Sequence, residues 1–161
     1  MDRKTCRQQL VTLLNETLTH TQGLKRQLEA EATALAANDL ANLESAVAAK
    51  NASVQELERL ELQRQHLLET AGFSGNRYGT EACIEWCNEN HDVARLWQRL
   101  LEEVRTCQRQ NRVNGMLVQF SRRNVQQLLD ILRGQPQAGR LYDPSGDTAT
   151  CADSSRALAK A

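Results

Sequence analysis

A heptad-like rhythm of mainly apolar residues near the carboxyl end of the chain, with polar residues at 111, 114 and 121, constrains its fold more than any other feature. From Val93 to Leu132, twelve positions step by three and four residues without a slip. This spacing places them on one face of an α-helix and is typical of a heptad seam. A helix over 93–133 is about 60 Å long, since each residue rises 1.5 Å. The sequence therefore predicts one very long amphipathic helix.

Two more long helices are predicted upstream. The first spans 3–37, with Asp2 as its N-cap, and the second spans 40–71; both carry leucines at steps of three and four. Asn38 and Asp39 separate them, because asparagine can end a helix in the left-handed conformation and aspartate can cap the next one. A connection this short makes the two helices antiparallel neighbours.

A glycine-rich loop and a short helix are predicted between the second and the last long helix. The loop runs over 72–79, and the short helix spans 81–87 with Ile84 and Trp86 as its apolar anchors. After the last helix comes a C-terminal tail over 134–161, and beyond Tyr142 too few apolar side chains remain to offset the entropy of ordering residues 143–161. We therefore predict an all-α fold, an antiparallel bundle of three long helices and one short helix over 1–133 with a mobile C-terminal tail.

Three charged residues lie on or beside the apolar seam of the second helix. Lys50, Glu61 and Arg64 occupy or flank positions that continue the leucine rhythm. Long charged side chains commonly bury their stems and keep their charged ends in water. We expect the same here, with the three charged heads reaching solvent.

Composition excludes several other classes of protein. Hydrophobic residues make up 40% and aromatic residues 4% of the 161 residues, with only eight glycines and two prolines. So few turn-forming residues argue against a β-sandwich. No apolar run approaches the ~18 residues that span a bilayer, and residues 1–9 lack the apolar core of a signal peptide. We expect a cytoplasmic protein, not inserted in a membrane, whose five cysteines are reduced.

Catalytic chemistry has little support in the sequence. Cys83, Cys87 and His91 are spaced by four residues and share one face of a continuous helix, but no fourth metal ligand is evident and 88–92 interrupts the helix. Cysteine more often fills an apolar core. No phosphate loop, nucleotide fingerprint or paired-carboxylate site is recognisable. We therefore predict a protein without enzymatic activity, metal or cofactor.

The charges are unevenly distributed although the formal net charge is zero. Residues 105–133 contain six arginines and one acidic residue, whereas residues 39–69 contain six acidic and three basic residues. A neutral chain without interleaved aromatic residues argues against binding to nucleic acid. We expect instead that the basic flank of one helix meets the acidic flank of another within the bundle.

The last helix carries more apolar residues than one core-facing stripe requires. The surplus lies in its final part, at Leu117, Phe120, Leu129 and Ile131. Such a surplus is typical of a helix that docks another helix. Two occupants within this protein remain possible, the short helix over 81–87 and another copy of the chain.

Three groups of residues together carry a family resemblance. The last helix contains Asn111-x-x-Asn114-Gly115-x-Leu117, the segment after it reads Leu141-Tyr142-Asp143-Pro144-Ser145-Gly146, and the second helix contains Lys50, Leu57 and Arg64. In that order they resemble the Asn-x-x-Asn-Gly core, the Leu-Tyr-Gly-x-x-Gly element and the Lys…Leu…Arg rhythm of the FlgN-type flagellar export chaperones. The resemblance covers nearly the whole chain.

The resemblance implies a function that the residues alone do not name. Members of this family bind the hook–filament junction proteins FlgK and FlgL in the cytoplasm, prevent their premature assembly and deliver them to the flagellar type III export gate. The clients are bound through terminal coiled-coil segments. The same resemblance implies that Leu141 and Tyr142 contact FlhA, a component of the export gate.

Two sets of site residues follow. We predict that a client helix contacts the apolar part of the last helix, at Leu117, Val118, Val125, Leu128, Leu129 and Leu132. Asn111, Asn114 and Gly115 are predicted to have a structural role, with the two asparagines fixing the register of the helix. The alternative is a structural coiled-coil protein that self-associates through the same helix as a homo-oligomer.

Overall fold

Four α-helices make up the part of the chain that the computed structural model describes, residues 1–87 and 91–133. They are α1 (Arg3–Ala37), α2 (Leu40–Thr70), α3 (Arg77–Cys87) and α4 (Asp92–Leu132). These residues contain no β-strand, so the expected all-α class is confirmed. The expectation of a mobile tail concerns residues 134–161, which lie outside the described residues.

The turn between α1 and α2 has the capping geometry that the sequence predicted. Asn38 adopts a left-handed conformation with φ of 53°, and its N–H donates to the Leu35 carbonyl. The Asp39 carboxylate accepts a hydrogen bond of 3.1 Å from the backbone N–H of Asn42. Both groups satisfy backbone atoms that a helix end leaves unpaired. The predicted caps at Asn38 and Asp39 are therefore confirmed.

The start of α3 differs from the sequence-based expectation, which placed a loop through Gly79. The helix already begins at Arg77. Asn76 starts it, because its side-chain oxygen accepts from the Gly79 N–H at 2.9 Å and its carbonyl accepts from the Thr80 N–H at 3.0 Å. A Cβ built on Gly79 would lie 1.9 Å from the Ser74 carbonyl oxygen. Gly79 is thus required by close backbone packing within α3, whereas the sequence interpretation placed it in the glycine-rich loop.

Pairs of contacting residues give the directions of the long helices. Gln27 and Glu31 of α1 hydrogen-bond with Ser53 and Lys50 of α2, respectively, so residue numbers fall along α2 as they rise along α1. Thr21 and Leu28 of α1 hydrogen-bond with Cys107 and Asn114 of α4, respectively, so residue numbers rise together along these two helices. In the part up to residue 118, α2 is therefore antiparallel to α1, and α4 is parallel to α1.

The core lies where the start of α1 packs against the end of α2, α3 and the start of α4. Its members are between 0 and 8% exposed, and they are Cys6, Leu10, Leu14, Leu18, Leu68, Cys83, Ile84, Cys87, Val93, Trp97 and Leu100. The sulfur atoms of Cys6 and Cys83 are 3.5 Å apart, without a disulfide. Burial raises the pKa of the Cys83 and Cys87 thiols. Cys83 and Cys87 therefore act as apolar residues that fill the core, and their thiols have little nucleophilic character.

The packing divides the chain into two units, Met1–Val118 and Gln119–Ala161, and the boundary falls inside α4. The core and all four helix starts belong to the first unit. None of the helices in the described part combines the length and the apolarity that crossing a lipid bilayer requires.

Candidate functional site

A buried polar network joins α1, α2 and α4. Asn114 is 2% exposed, and its side-chain amide donates to the Leu28 carbonyl and to the Glu31 carboxylate, each at 2.8 Å. The other carboxylate oxygen of Glu31 accepts from the Lys50 ammonium. Each buried polar group in this chain of contacts has a partner, so the network favours one register among the three helices.

The expectation that Lys50 and Arg64 extend their charged ends to solvent was wrong. The Lys50 ammonium is paired with Glu31, which is 5% exposed. The Arg64 guanidinium lies inside the first unit and donates to the Gly75 carbonyl at 3.0 Å and to the Thr80 hydroxyl. Both cations find acceptors on other segments, and a paired charge can remain buried. The side chain of Glu61, in contrast, is 47% exposed.

Arg64 also holds the carboxylate of Glu61. Its Nε donates to Glu61 at 2.8 Å, and Gln65 donates to the same carboxylate at 3.0 Å. Burial alone would raise the pKa of Glu61, but these hydrogen bonds and the Arg64 charge together lower it. Arg64 therefore ties the end of α2 to the loop and to the start of α3.

The three residues of the Asn-x-x-Asn-Gly motif lie in different surroundings. Asn114 is buried in the network, Asn111 is exposed, and Gly115 is exposed with nothing within 4 Å of a Cβ built on it. Asn111 lies at the edge of a groove described below. Packing within the described residues therefore explains the asparagine at 114 and leaves the glycine at 115 without a steric reason.

Exposed apolar side chains occur along the second half of α4, at Leu117 and Val118 in the first unit and from Phe120 to Leu132 in the second. All six residues predicted to contact a client are exposed, from 38% for Leu129 to 81% for Leu132. Phe120 and Ile131 are exposed on the same helix, at 64% and 61%. Exposed apolar residues clustered over four helical turns are typical of an interaction surface. We call Leu117, Val118, Val125, Leu128, Leu129 and Leu132 the apolar face of α4.

Within residues 1–87 and 91–133, no ion pair joins the acidic stretch of α2 to the basic stretch of α4. Of the ion pairs formed by the described residues, two join α1 to α4 and one joins α1 to α2, while the others lie within one helix. Arg105 and Arg112, on the basic stretch of α4, are exposed and form no ion pair within this part of the chain. Their charges are available to a partner.

A groove between the long helices was not anticipated from the sequence. It has a volume of about 590 Å³ and is lined by residues of α1, α2 and α4, including Leu24, Val54, Leu57 and Val104. All four lie on the helical stripes that step by three and four residues in the sequence. The weak signal was the presence of Lys50, Glu61 and Asn111 on the same stripes, because polar seam residues interrupt a dry core.

Two sets of candidate residues need separate mention. Cys83 and Cys87 lie in the core, and across residues 1–87 and 91–133 no three His, Cys, Asp or Glu side chains are grouped so as to hold a metal ion. Leu141 and Tyr142, the predicted contacts to the export gate, lie outside the described residues.

Comparison with known proteins gives one match. The family model described as FlgN protein matches residues 1–150. No curated protein and no solved structure matches the chain significantly. The match covers all four helices.

Proposed function

The chain belongs to the FlgN family of flagellar export chaperones, and from this premise we propose that it binds the junction proteins FlgK and FlgL in the cytoplasm. It keeps their terminal coiled-coil segments from assembling early and delivers them to the flagellar export gate. The observation that carries this proposal is the exposed apolar face of α4. The role requires binding and release, without catalysis.

The proposed mechanism is helix pairing. A terminal segment of the client carries an apolar stripe that pairs with its own filament partners after export. The apolar face of α4 offers side chains at steps of three and four residues, from Val118 to Val125 and on to Leu128 and Leu132, which is the spacing that a helical partner matches. Ordering the client offsets part of the gain from apolar burial. Binding is therefore moderate in strength, and release needs no chemical step.

The supporting scaffold is proposed to be an antiparallel bundle of three long helices within the first unit. The contact directions of α1 with α2 and of α1 with α4 support this arrangement. The network of Asn114, Glu31 and Lys50 holds the middle of α4 in register. A rigid scaffold at this point lowers the entropy that α4 loses when a client binds.

The first test replaces two leucines of the apolar face. Leu128→Asp with Leu129→Asp should weaken binding of a carboxyl-terminal FlgK segment by more than about a hundredfold, since each buried leucine contributes roughly 1.5–3 kcal/mol. Gln126→Asp with Gln127→Asp is the matched control, because it adds two charges in the same turn at exposed polar positions. Isothermal titration calorimetry measures affinity, and far-ultraviolet circular dichroism checks that helicity is retained.

Light scattering after size-exclusion chromatography separates a chaperone from a structural coiled coil. A chaperone forms a complex with the FlgK or FlgL segment. A stable homodimer that ignores both segments, and that the two leucine substitutions dissociate, would reject the chaperone role. Equal losses of binding in the leucine and glutamine variants would reject the placement of the site.

Delivery is proposed to use a different part of the chain. Leu141 and Tyr142 match the family element that follows the last helix, and a tyrosine can bury its ring while its hydroxyl keeps a hydrogen bond. Tyr142→Ala should therefore leave binding of the FlgK segment unchanged and weaken binding to FlhA. Pull-down with purified FlhA and secretion of FlgK from cells measure the two effects. A loss of FlgK binding in this variant would contradict separate sites.

A further inference from the structure

The groove between α1, α2 and α4 has a shape that can accommodate one more helix. Three stripes line it, each stepping by three or four residues: 17, 21, 24 and 28 on α1, 50, 54, 57 and 61 on α2, and 104, 108 and 111 on α4. The stripes on α1 and α2 each extend over about three turns, or roughly 16 Å. A second hollow of about 690 Å³ continues from it and shares Thr17, Glu61 and Val104.

Much of the lining of the groove is apolar, and several of its polar groups already have hydrogen-bond partners. The hydroxyls of Thr17 and Thr21 donate to carbonyls one turn back in α1, at 2.8 Å each, which leaves their methyl groups toward neighbouring side chains. Lys50 is paired with Glu31. Val54, on the α2 wall, remains 39% exposed. The groove thus offers apolar surface to a guest and no unpaired buried charge.

The shape favours a helix over an extended peptide. An extended backbone would bring unpaired N–H and carbonyl groups against apolar walls, whereas a helix satisfies these groups internally. The volume of about 590 Å³ is several times the ~150 Å³ of an apolar cavity that holds one benzene molecule. It therefore accommodates several side chains from one face of a guest helix.

The charged residues at the rim of the groove indicate which charges a docked helix should carry. Arg105 and Arg112 each directly follow a lining residue of α4, they are exposed, and they are seven positions apart. Glu58 is exposed on α2. A guest with acidic residues seven positions apart on the flank toward α4, and a neutral or basic flank toward α2, complements both walls. The basic second half of α4 from another copy of the chain does not.

We propose that this groove is a second docking site, which takes an amphipathic helix of a partner protein with an apolar stripe and an acidic flank. The site is formed by residues 17–111 and includes no residue of the apolar face of α4. It does not depend on the proposed binding of FlgK or FlgL to that face. The chain can therefore hold two helical segments at once.

The test uses the full chain and a fluorescent 14-residue peptide. The peptide carries leucines at steps of three and four, two glutamates seven residues apart on one flank and glutamines on the other; a second peptide has lysines in place of the glutamates. Fluorescence anisotropy should show the glutamate peptide binding at least about fivefold more tightly. Arg105→Glu with Arg112→Glu should reverse this preference, because it inverts the charge of the α4 wall.

A substitution in the wall tests the location. Val54→Asp should weaken binding of the glutamate peptide at least about tenfold, since the docked helix would bury an unpaired carboxylate. Leu62→Asp is the matched control: it adds the same charge to α2 at a residue that is 65% exposed and does not line the groove. It should leave affinity within about twofold, and circular dichroism should show both variants equally helical.

Three results would overturn the proposal. One is equal affinity of the two peptides for the unchanged protein. Another is that the double variant Leu128→Asp with Leu129→Asp loses binding of the glutamate peptide while Val54→Asp retains it. That result would place the site on the apolar face of α4. The third is a homodimer in light scattering that Val54→Asp dissociates, because a second copy would then be the occupant. A failure of FlgK binding with intact peptide binding would refute only the proposed function.

Discussion

The Glu31–Lys50 pair yields the sharpest test of how the long helices are held together. The side chains of Glu31 and Lys50 are 7% and 19% exposed, and Asn114 donates to the same carboxylate. Lys50→Met keeps an unbranched side chain that is one atom shorter and removes its charge. The Glu31 carboxylate then remains buried with one hydrogen bond from a neutral amide. Breaking a buried pair from one side costs about 3–5 kcal/mol, and the partial exposure of Lys50 places this variant at the lower end, near 3 kcal/mol.

A substitution at the other member of the pair, Glu31, has a smaller expected effect on stability. In Glu31→Gln the amide oxygen still accepts from Asn114, and Lys50 can turn its ammonium toward water. We expect a loss of about 1 kcal/mol, as for one net hydrogen bond. The double variant Glu31→Gln with Lys50→Met buries no charge, so it should also lose only about 1 kcal/mol. Removing the second charge therefore restores about 2 kcal/mol to the Lys50→Met protein.

Urea unfolding followed by circular dichroism measures these differences as shifts in midpoint at constant slope. For a chain of this size, 3 kcal/mol corresponds to a decrease in Tm of about 6–12 °C. The reasoning is refuted if Lys50→Met lies within about 0.5 kcal/mol of the unchanged protein. It is also refuted if the double variant is as unstable as Lys50→Met alone, because the penalty would then not come from an unpaired carboxylate.

Two further predictions concern the glycines at 79 in α3 and 115 in α4, and the N-cap of α2. Gly79→Ala should destabilise the protein by about 1–3 kcal/mol, since its Cβ meets the Ser74 carbonyl. Gly115→Ala should stabilise the protein by up to about 1 kcal/mol, because its Cβ lies in open space. Urea unfolding measures both changes in stability, and an equal loss of stability in the two variants would contradict the steric reason. Asp39→Ala should lower Tm and Asp39→Asn should preserve it. Hydrogen bonds from the Asn42 N–H and amide lower the pKa of Asp39 below its ordinary value of 3.8, so its contribution is complete above that pH and is lost as pH falls through the folded-state pKa. The loss in acid should therefore be smaller in Asp39→Asn, and identical acid profiles would exclude this contribution.

Signals confined to one helix were readable from the sequence. The step of three and four residues locates the long helices, and the pair Asn38-Asp39 predicts one C-cap and one N-cap. These features depend on neighbouring residues along the chain, and the physical chemistry of helix ends is local. The exposed surplus on α4 was visible for a related reason, because more apolar residues occur there than one stripe can bury.

Signals that depend on distant residues were not readable. Capped by Asn76, α3 begins at Arg77, four residues before the expected position, next to a loop that Arg64 braces through Gly75 and Thr80. Arg64 lies eleven residues before Gly75 and sixteen before Thr80, and no pattern of spacing reports such a contact. The strict need for glycine at 79 likewise follows only from the approach of the Ser74 carbonyl.

The primary structure by itself determined that this protein is helical, where its long helices begin and end, and which family it belongs to. Only the tertiary structure decided which polar seam residues are buried and which seam positions stay open. Lys50 is half-buried because Glu31, nineteen residues away, offers a carboxylate, and Val54, on the next turn of α2, stays partly exposed beside a groove. Periodicity specifies the face of a helix on which a residue lies, but burial depends on what other helices bring against that face.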